Sequence, residues 1–324
     1  MKKLFIFTAV LLLLVSCRYK DLCYDHSHSD DNLELVLELN LQLDVDLDVS
    51  DDPETHTKID VPTYMKVNFY DPQSGALNGW NIVGSYGGSL QVAPGTYNMV
   101  VYSFGTEWTQ IRGEGDINTL EAFTSDITML KAHIISHFSE GKVEIPGPVI
   151  YTPDHLLVAR QIVEIPPYTT ERHVVTVTDT VSTILETYGF EVTNITGLEY
   201  VASAEAFVTN QARSYFFGRG EKNTEAATIF FPVNVDKEEG VLKTTFNTFG
   251  KLPGESLSYL HIVVTDTEGN IYTITEDITE QFNDPRHEIV IDDPIDIPKP
   301  ESGDGGIAPT VEEWENVNQD VPIG

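Results

Sequence analysis

The chain has 324 residues, enough for about two domains at the usual ~100–200 residues each, and its 41% hydrophobic and 10% aromatic content excludes wholesale disorder. Charge is the outlier: 51 Asp and Glu against 19 Lys and Arg leave a formal net charge of −32. That argues against nucleic acid as a partner and against electrostatic docking on anionic lipid, since both require a basic patch.

Met1-Lys2-Lys3 forms a positive start, and Leu4 to Val15 an apolar run too short to span a bilayer comfortably. The run closes on Leu14-Val15-Ser16-Cys17, which resembles the bacterial lipobox. The chemistry needs a thiol that can become a thioether to diacylglycerol, directly after a small residue at the cleaved bond. Residues 1–16 are therefore expected to be a lipoprotein signal peptide and Cys17 the lipidated (diacylglyceryl, palmitate-type) first mature residue. Removing Lys2 and Lys3 takes the mature charge to 17 − 51, or −34. With Cys17 acylated, the one other cysteine, Cys23, has no disulfide partner, so the fold must rest on apolar burial. Residues 17–31 are polar and read as a lipidated flexible tether.

From Leu33 to Val49 an apolar residue occupies every odd position, with mostly Glu, Asp, Asn and Gln between. A period of two puts one face in a core and the other in water, which is β and not helix. At about 3.3 Å per residue the run would reach roughly 56 Å, about three ordinary strands, so a bend or a change of sheet is expected. Tyr64–Tyr70 reads as a strand ending at the turn Asp71-Pro72-Gln73-Ser74-Gly75. A Gly-rich loop (84–88) precedes strand runs at 90–92 and 96–102, which flank the Pro94-Gly95 turn. A further strand is expected at 155–165, with the interdomain junction at Pro166-Pro167. Beyond it, Val174–Thr178 is expected to open the second half. It continues with strands at 190–192, 204–208, 228–231, 243–249, 259–264, 271–275 and 288–291, and a hairpin turn at Gly269-Asn270. Short helical pieces are expected near 120–137 and 278–282. The acidic, Pro/Gly-rich tail 299–324 still carries Ile307, Val311, Trp314, Val317 and Ile323, and is expected to pack in part.

Candidate chemical constellations are weak. Asp25, His26, His28, Asp30 and Asp31 could hold a transition metal, but ordering a tether costs entropy and a solvated segment is favoured. His133 and His137 share a helical spacing, yet a zinc protease motif needs Glu where Ile134 stands. Asp44, Asp46, Asp48, Asp51 and Asp52 could attract calcium, although an EF-hand loop needs Gly where Asp51 falls; the wet face of an amphipathic strand is the simpler reading. No nucleophile elbow, phosphate loop or dinucleotide fingerprint occurs, and with 51 acids any glycosidase-like carboxylate pair is easy to propose and uninformative. No catalytic, cofactor or metal residue is assigned. Trp80, Trp108 and Trp314, with Tyr86 and Tyr102, could form a sugar-stacking platform, against the commoner role of aromatics as core.

Together, the lipobox cysteine, the long alternating first strand, the Val92-Ala93-Pro94-Gly95-Thr96-Tyr97 turn and a β-rich second half resemble Bacteroidales fimbrial anchor and accessory lipoproteins. Phe246-Asn247-Thr248-Phe249-Gly250, Asp277–Phe282 and Gly305-Gly306-Ile307 through Trp314 more closely resemble a related, uncharacterised lipoprotein family. The resemblance implies an all-β fold of two tandem transthyretin-like β-sandwich domains, at 32–166 and 167–298. It also implies a non-enzymatic anchor or accessory role in a fimbria-like assembly, lipid-anchored at the outer membrane, with fimbrial subunits as protein partners joined by strand addition. The long strand 33–49 and the tail 299–324 are the candidate strands. The alternative is a glycan-binding outer-membrane lipoprotein of a polysaccharide-capture system.

Overall fold

The computed structural model describes residues 33–40, 61–127, 145–167, 174–252, 257–284 and 286–300. Among them the regular structure is β, broken by two single-turn 3-10 helices, Leu198–Tyr200 and Gln281–Asn283. The chain is all-β, as expected. The first eleven strands are β1 (Leu33–Asn40), β2 (Tyr64–Tyr70), β3 (Leu77–Gly84), β4 (Gly87–Val92), β5 (Gly95–Ser103), β6 (Gln110–Arg112), β7 (Glu121–Phe123), β8 (Val149–Tyr151), β9 (Leu157–Ile165), β10 (Val174–Thr180) and β11 (Ser182–Thr183). The rest are β12 (Glu186–Val192), β13 (Ile195–Thr196), β14 (Val201–Ala212), β15 (Ser214–Phe216), β16 (Glu221–Lys222), β17 (Ala226–Asp236), β18 (Val241–Thr248), β19 (Tyr259–Asp266), β20 (Ile271–Asp277), β21 (Glu288–Ile291) and β22 (Ile295–Asp296).

The first sheet runs β10-β1-β4-β3-β2-β5-β9-β11. Because β10 continues into β11 through the buried Val181, one stretch of chain pairs with β1 at one end and with β9 at the other. The sheet thereby curls around its own core. Alternation supplies that core: Met65, Val67 and Phe69 of β2, Met99 and Val101 of β5, and Val163 and Ile165 of β9 all face inward. The β2–β3 turn is set by Asp71, whose carboxylate accepts the backbone N–H groups of Gln73 and Ser74, and by Gly75 in the left-handed region.

Two expectations are corrected here. Val174–Thr178 does not open the second half; it joins the first sheet beside β1, in parallel register from Glu34↔Val174 to Asn40↔Thr180. Its alternation suits either core, and a parallel partner more than a hundred residues upstream leaves no local signature. The helical piece expected from Leu120 begins instead as β7, because Glu121, Ala122 and Phe123 ladder with β6 on one side and β15 on the other. Of the long strand 33–49, its first eight residues form β1, paired on both sides within the sheet; 41–49 lie outside the described residues.

The second half is a sandwich built on one long strand. The first part of β17 pairs with β14 and carries the path β14-β19-β20; its last residues pair with β18 and lead to β12 and β21. A strand that changes sheets turns a corner and lets the two layers face each other. Between them Phe231 stacks on Phe246 (centroids 4.2 Å, 5° between planes), with Phe190 edge-on at 6.0 Å.

The halves interlock. β7 of the first half and β15 of the second pair inside one small sheet, β16-β15-β7-β6, and β8 adds to β17 in parallel. Gly147, just before β8, has φ 68°, and a Cβ there would come within 1.8 Å of the Ala226 carbonyl oxygen, so only glycine permits this crossing. A shared cluster fills the seam: Tyr70, Val100, Tyr102 and Leu120 from one half against Leu185, Ala212, Phe217 and Phe249 from the other.

His261 on β19, paired with Phe207 of β14, gives the second half a pH dependence. The residue is 2% exposed, and its Nδ1 lies 3.0 Å from Thr275 Oγ1. Burial pushes its pKa from 6.5 down to about 4. Between those values the unfolded chain binds a proton that the native state refuses. Stability is therefore whole above pH 6.5 and falls as pH drops toward 4, by about 3 kcal/mol from this residue. Burial lowers His155 as well, in the same direction. The urea midpoint of the wild type is expected to fall more between pH 7 and 4.5 than that of His261→Gln; parallel profiles would refute the assignment.

Candidate assembly interface

An interface made by strand addition needs an unpaired sheet edge. The first sheet offers little, since β10 and β11 tie its two ends together. The second has the four-residue β21 at one end and β20 at the other, and the seven residues of β20 ladder with β19 from Tyr259↔Asp277 to Thr265↔Ile271 and with nothing else among the described residues. Its side chains alternate: Tyr272 and Ile274 pack toward the core, while Ile271, Thr273 and Thr275 face out. The strand contains neither Lys nor Pro, the residues that commonly blunt exposed edges. The hairpin leading into it is fixed by Asp266, which is buried and accepts the backbone N–H of Glu268 and Asn270 at 2.9 Å each. Burial by itself would push the Asp266 carboxyl up; the hydrogen bonds from Asn270, Glu268 and Tyr272 outweigh it and lower the pKa.

The seam is held by polar contacts as well as apolar ones. Arg112 grips Glu121 through Nε (2.6 Å) and Nη2 (3.0 Å), and Ser214 of the second half donates to the same carboxylate. Glu121 is 5% exposed; burial raises its pKa, but the bonds from Arg112 and Ser214 together bring it below the ordinary carboxylate value. Thr152 and Asn247 exchange two further bonds, at 2.8 and 3.0 Å, across the halves. The two sandwiches are thus joined by a shared sheet, a shared core and hydrogen bonds across the seam.

Among the described residues, Trp80, Trp108, Tyr86 and Tyr102 do not form one platform. Tyr102 is fully buried in the seam, because the outer face of β5 is covered by the second half. Trp108 packs on Tyr151 with centroids 4.2 Å apart. Trp80 is 55% exposed on β3, with the Lys66 ammonium 5.0 Å from its ring. Tyr86 is 74% exposed in the turn beyond the end of that strand, six positions along from Trp80. Tyr64 and Ile82 complete an apolar strip with Trp80 on this face, which sequence reasoning missed because β3 reads Leu77-Asn78-Gly79-Trp80-Asn81, a polar, glycine-bearing run. Cys17, Cys23, His26, His28, Asp44, Asp46, Asp48, Asp51, Asp52, His133, His137 and Trp314 all lie outside the described residues. Among the described residues no three His, Cys, Asp or Glu converge as metal ligands would.

Residues 16–232 match the model of a family described as a domain of unknown function, DUF5119; the match runs from the residue before Cys17 through the first half and into the second, ending within β17. A Bacteroides ovatus protein provisionally named fimbrium anchoring subunit Fim4B is 24% identical over an alignment that covers 97% of this chain and 96% of the relative. Among solved structures, one provisionally described as an adhesin, also from Bacteroides ovatus, superposes with a TM-score of 0.58 at 22% identity, covering 89% of this chain and 98% of that one. The fimbrial anchor protein Mfa2 from Porphyromonas gingivalis gives a TM-score of 0.47 at 14% identity, covering 80% and 90%. With the adhesin, the likeness is one of fold over nearly the whole molecule.

Proposed function

The chain belongs to the DUF5119 family, and from that premise we propose that it is a non-enzymatic, lipid-anchored surface subunit, anchor or accessory, of a fimbria-like assembly. One observation carries the reading: the end-to-end alignment with the Bacteroides ovatus fimbrium anchoring subunit, with both chains covered almost entirely. Cys17 would carry the acyl anchor in the outer membrane, residues 17–31 the spacer, and the two sandwiches the contacts. β10 and β11 support dividing the halves after Thr183 rather than at Pro166-Pro167, as two fused units rather than beads on a linker.

The edge proposed for the partner is β20. An added strand would gain main-chain hydrogen bonds along seven residues and register from the outward Ile271, Thr273 and Thr275. Cross-linking in the native envelope followed by affinity capture is expected to recover fimbrial subunits in stoichiometric amounts. Recovery of an outer-membrane transporter and glycosidases would support polysaccharide capture instead. The double substitution Ile271→Lys/Thr273→Lys places charge on solvent-facing positions, so stability should change by no more than about 0.5 kcal/mol. Capture of the subunits is expected to be lost; undiminished recovery would rule out β20 as the edge.

A further inference from the structure

We propose that the seam between the halves carries a binding groove for an extended acidic peptide, recognised by Arg160 and Arg219. The groove encloses about 410 Å³ between the outer face of β5–β9 and the turn that follows β15. Asn98, Arg160 and Ile162 line it from the first half, Gly218 and Arg219 from the second, with Ile117 and Asn118 from the 113–120 loop.

Charge is what sets this place apart. In a chain of net charge −32, cations are scarce and most are spoken for. Of the five arginines among the described residues, Arg112, Arg213 and Arg286 hold carboxylates at 2.6–3.2 Å, and Arg219 reaches Glu221 only at 3.4 Å. Arg160 has no carboxylate within 4.0 Å among those residues. Its guanidinium is nevertheless placed: it lies across the bare backbone of Gly220, where a Cβ would come within 2.2 Å of Nη1. Gly220 has φ 77°, a conformation glycine favours, and leaves room for the guanidinium beside the turn. Arg219 is steadied over the Phe216 ring at 4.5 Å. Arg160, with no carboxylate partner among the described residues, and Arg219, whose contact with the exposed Glu221 is long, stand with the Asn98 side-chain amide beside them, and a peptide carboxylate would take the guanidinium donors in bidentate geometry.

The rim decides between acidic peptide and acidic sugar. Ile162 is 69% exposed next to Arg160, and Ile117 stands on the opposite wall, so the groove offers apolar contact between its cations. A sugar ring gains most from an open aromatic face, and the nearby Phe216 face is taken by Arg219. A peptide alternating acidic and apolar side chains meets both demands. This inference stands on the groove's own charge and shape and is independent of the fimbrial reading.

The test is fluorescence anisotropy on the full mature chain with a labelled peptide of the sequence of residues 309–320 (PTVEEWENVNQD), its all-Gln/Asn counterpart, and a fluorescent oligogalacturonate. Saturable binding of the acidic peptide is expected. It should weaken about tenfold or more in Arg160→Gln/Arg219→Gln, by a similar factor for the neutral peptide, and further with added salt. Arg160→Lys, which keeps the charge but not the fork, should fall between. Both arginines are on the surface, so unchanged circular dichroism will show the variants folded. Absence of saturable peptide binding, equal affinity of wild type and double variant, or binding of oligogalacturonate in place of peptide would each overturn the proposal.

Discussion

Cys17→Ala, expressed behind a cleavable secretory signal, is expected to leave the membrane fraction entirely and appear as soluble mature-sized protein. The expectation follows from the first seventeen residues: two lysines, a twelve-residue apolar run, Ser16 and then the thiol. A thioether-linked diacylglycerol brings two chains, each contributing about 0.8 kcal/mol per buried CH₂. One chain alone holds only marginally, whereas two make detachment negligible on the scale of a cell cycle. A mature chain beginning at Cys17 would carry a charge of −34, which anionic lipid repels, and no helix among the described residues is long and apolar enough to cross a bilayer. Fractionation and metabolic palmitate labelling read the result together. Label on the alanine variant, or mature-sized variant protein still sedimenting with membranes, would show that the tether lies elsewhere.

How much of the fold was legible follows from what a strand reports about itself. Tyr64–Tyr70, Glu288–Ile291 and the strand run opening at Tyr259 could be read because each alternates or runs apolar between turn residues, and Gly269-Asn270 marks its hairpin directly. Partnership was not legible. β10 carries the same Val-x-Val signal whichever sheet it joins, and only the arrival of β1 in parallel assigns it. β3 escaped notice because Asn78, Gly79 and Asn81 dilute its alternation. The groove at the seam was invisible for a related reason: Arg160 and Arg219 are 59 positions apart, and what joins them is the Gly220 backbone under a guanidinium. Tyr102 misled in the opposite sense, since nothing in Val100-Val101-Tyr102 says that the second half will cover it.

Phe217→Ala is expected to cost about 3–5 kcal/mol, the usual range for truncating a fully buried phenylalanine. The residue belongs by sequence to the second half, between β15 and β16, but its ring is fully buried and meets Tyr102 of the first half edge-on at 5.1 Å. Neither half can close the gap by itself, because Tyr70, Val100 and Leu120 are held by the first sheet and its loop, and Ala212 and Phe249 by the second. The cavity should therefore persist, and the loss be felt by both units at once. Against a typical total of about 5–15 kcal/mol this is a large fraction, and the melting midpoint should drop by roughly 5–15 °C. Trp80→Ala provides the contrast, since that ring is half exposed on the far strand and should shift the midpoint by about a degree or two. The same shared cluster requires the wild type to unfold in one calorimetric transition, with the first-half signal of Trp108 and far-UV dichroism lost together. Two separated transitions in the wild type, or a Phe217→Ala midpoint no lower than that of Trp80→Ala, would mean that the sandwiches fold as independent units.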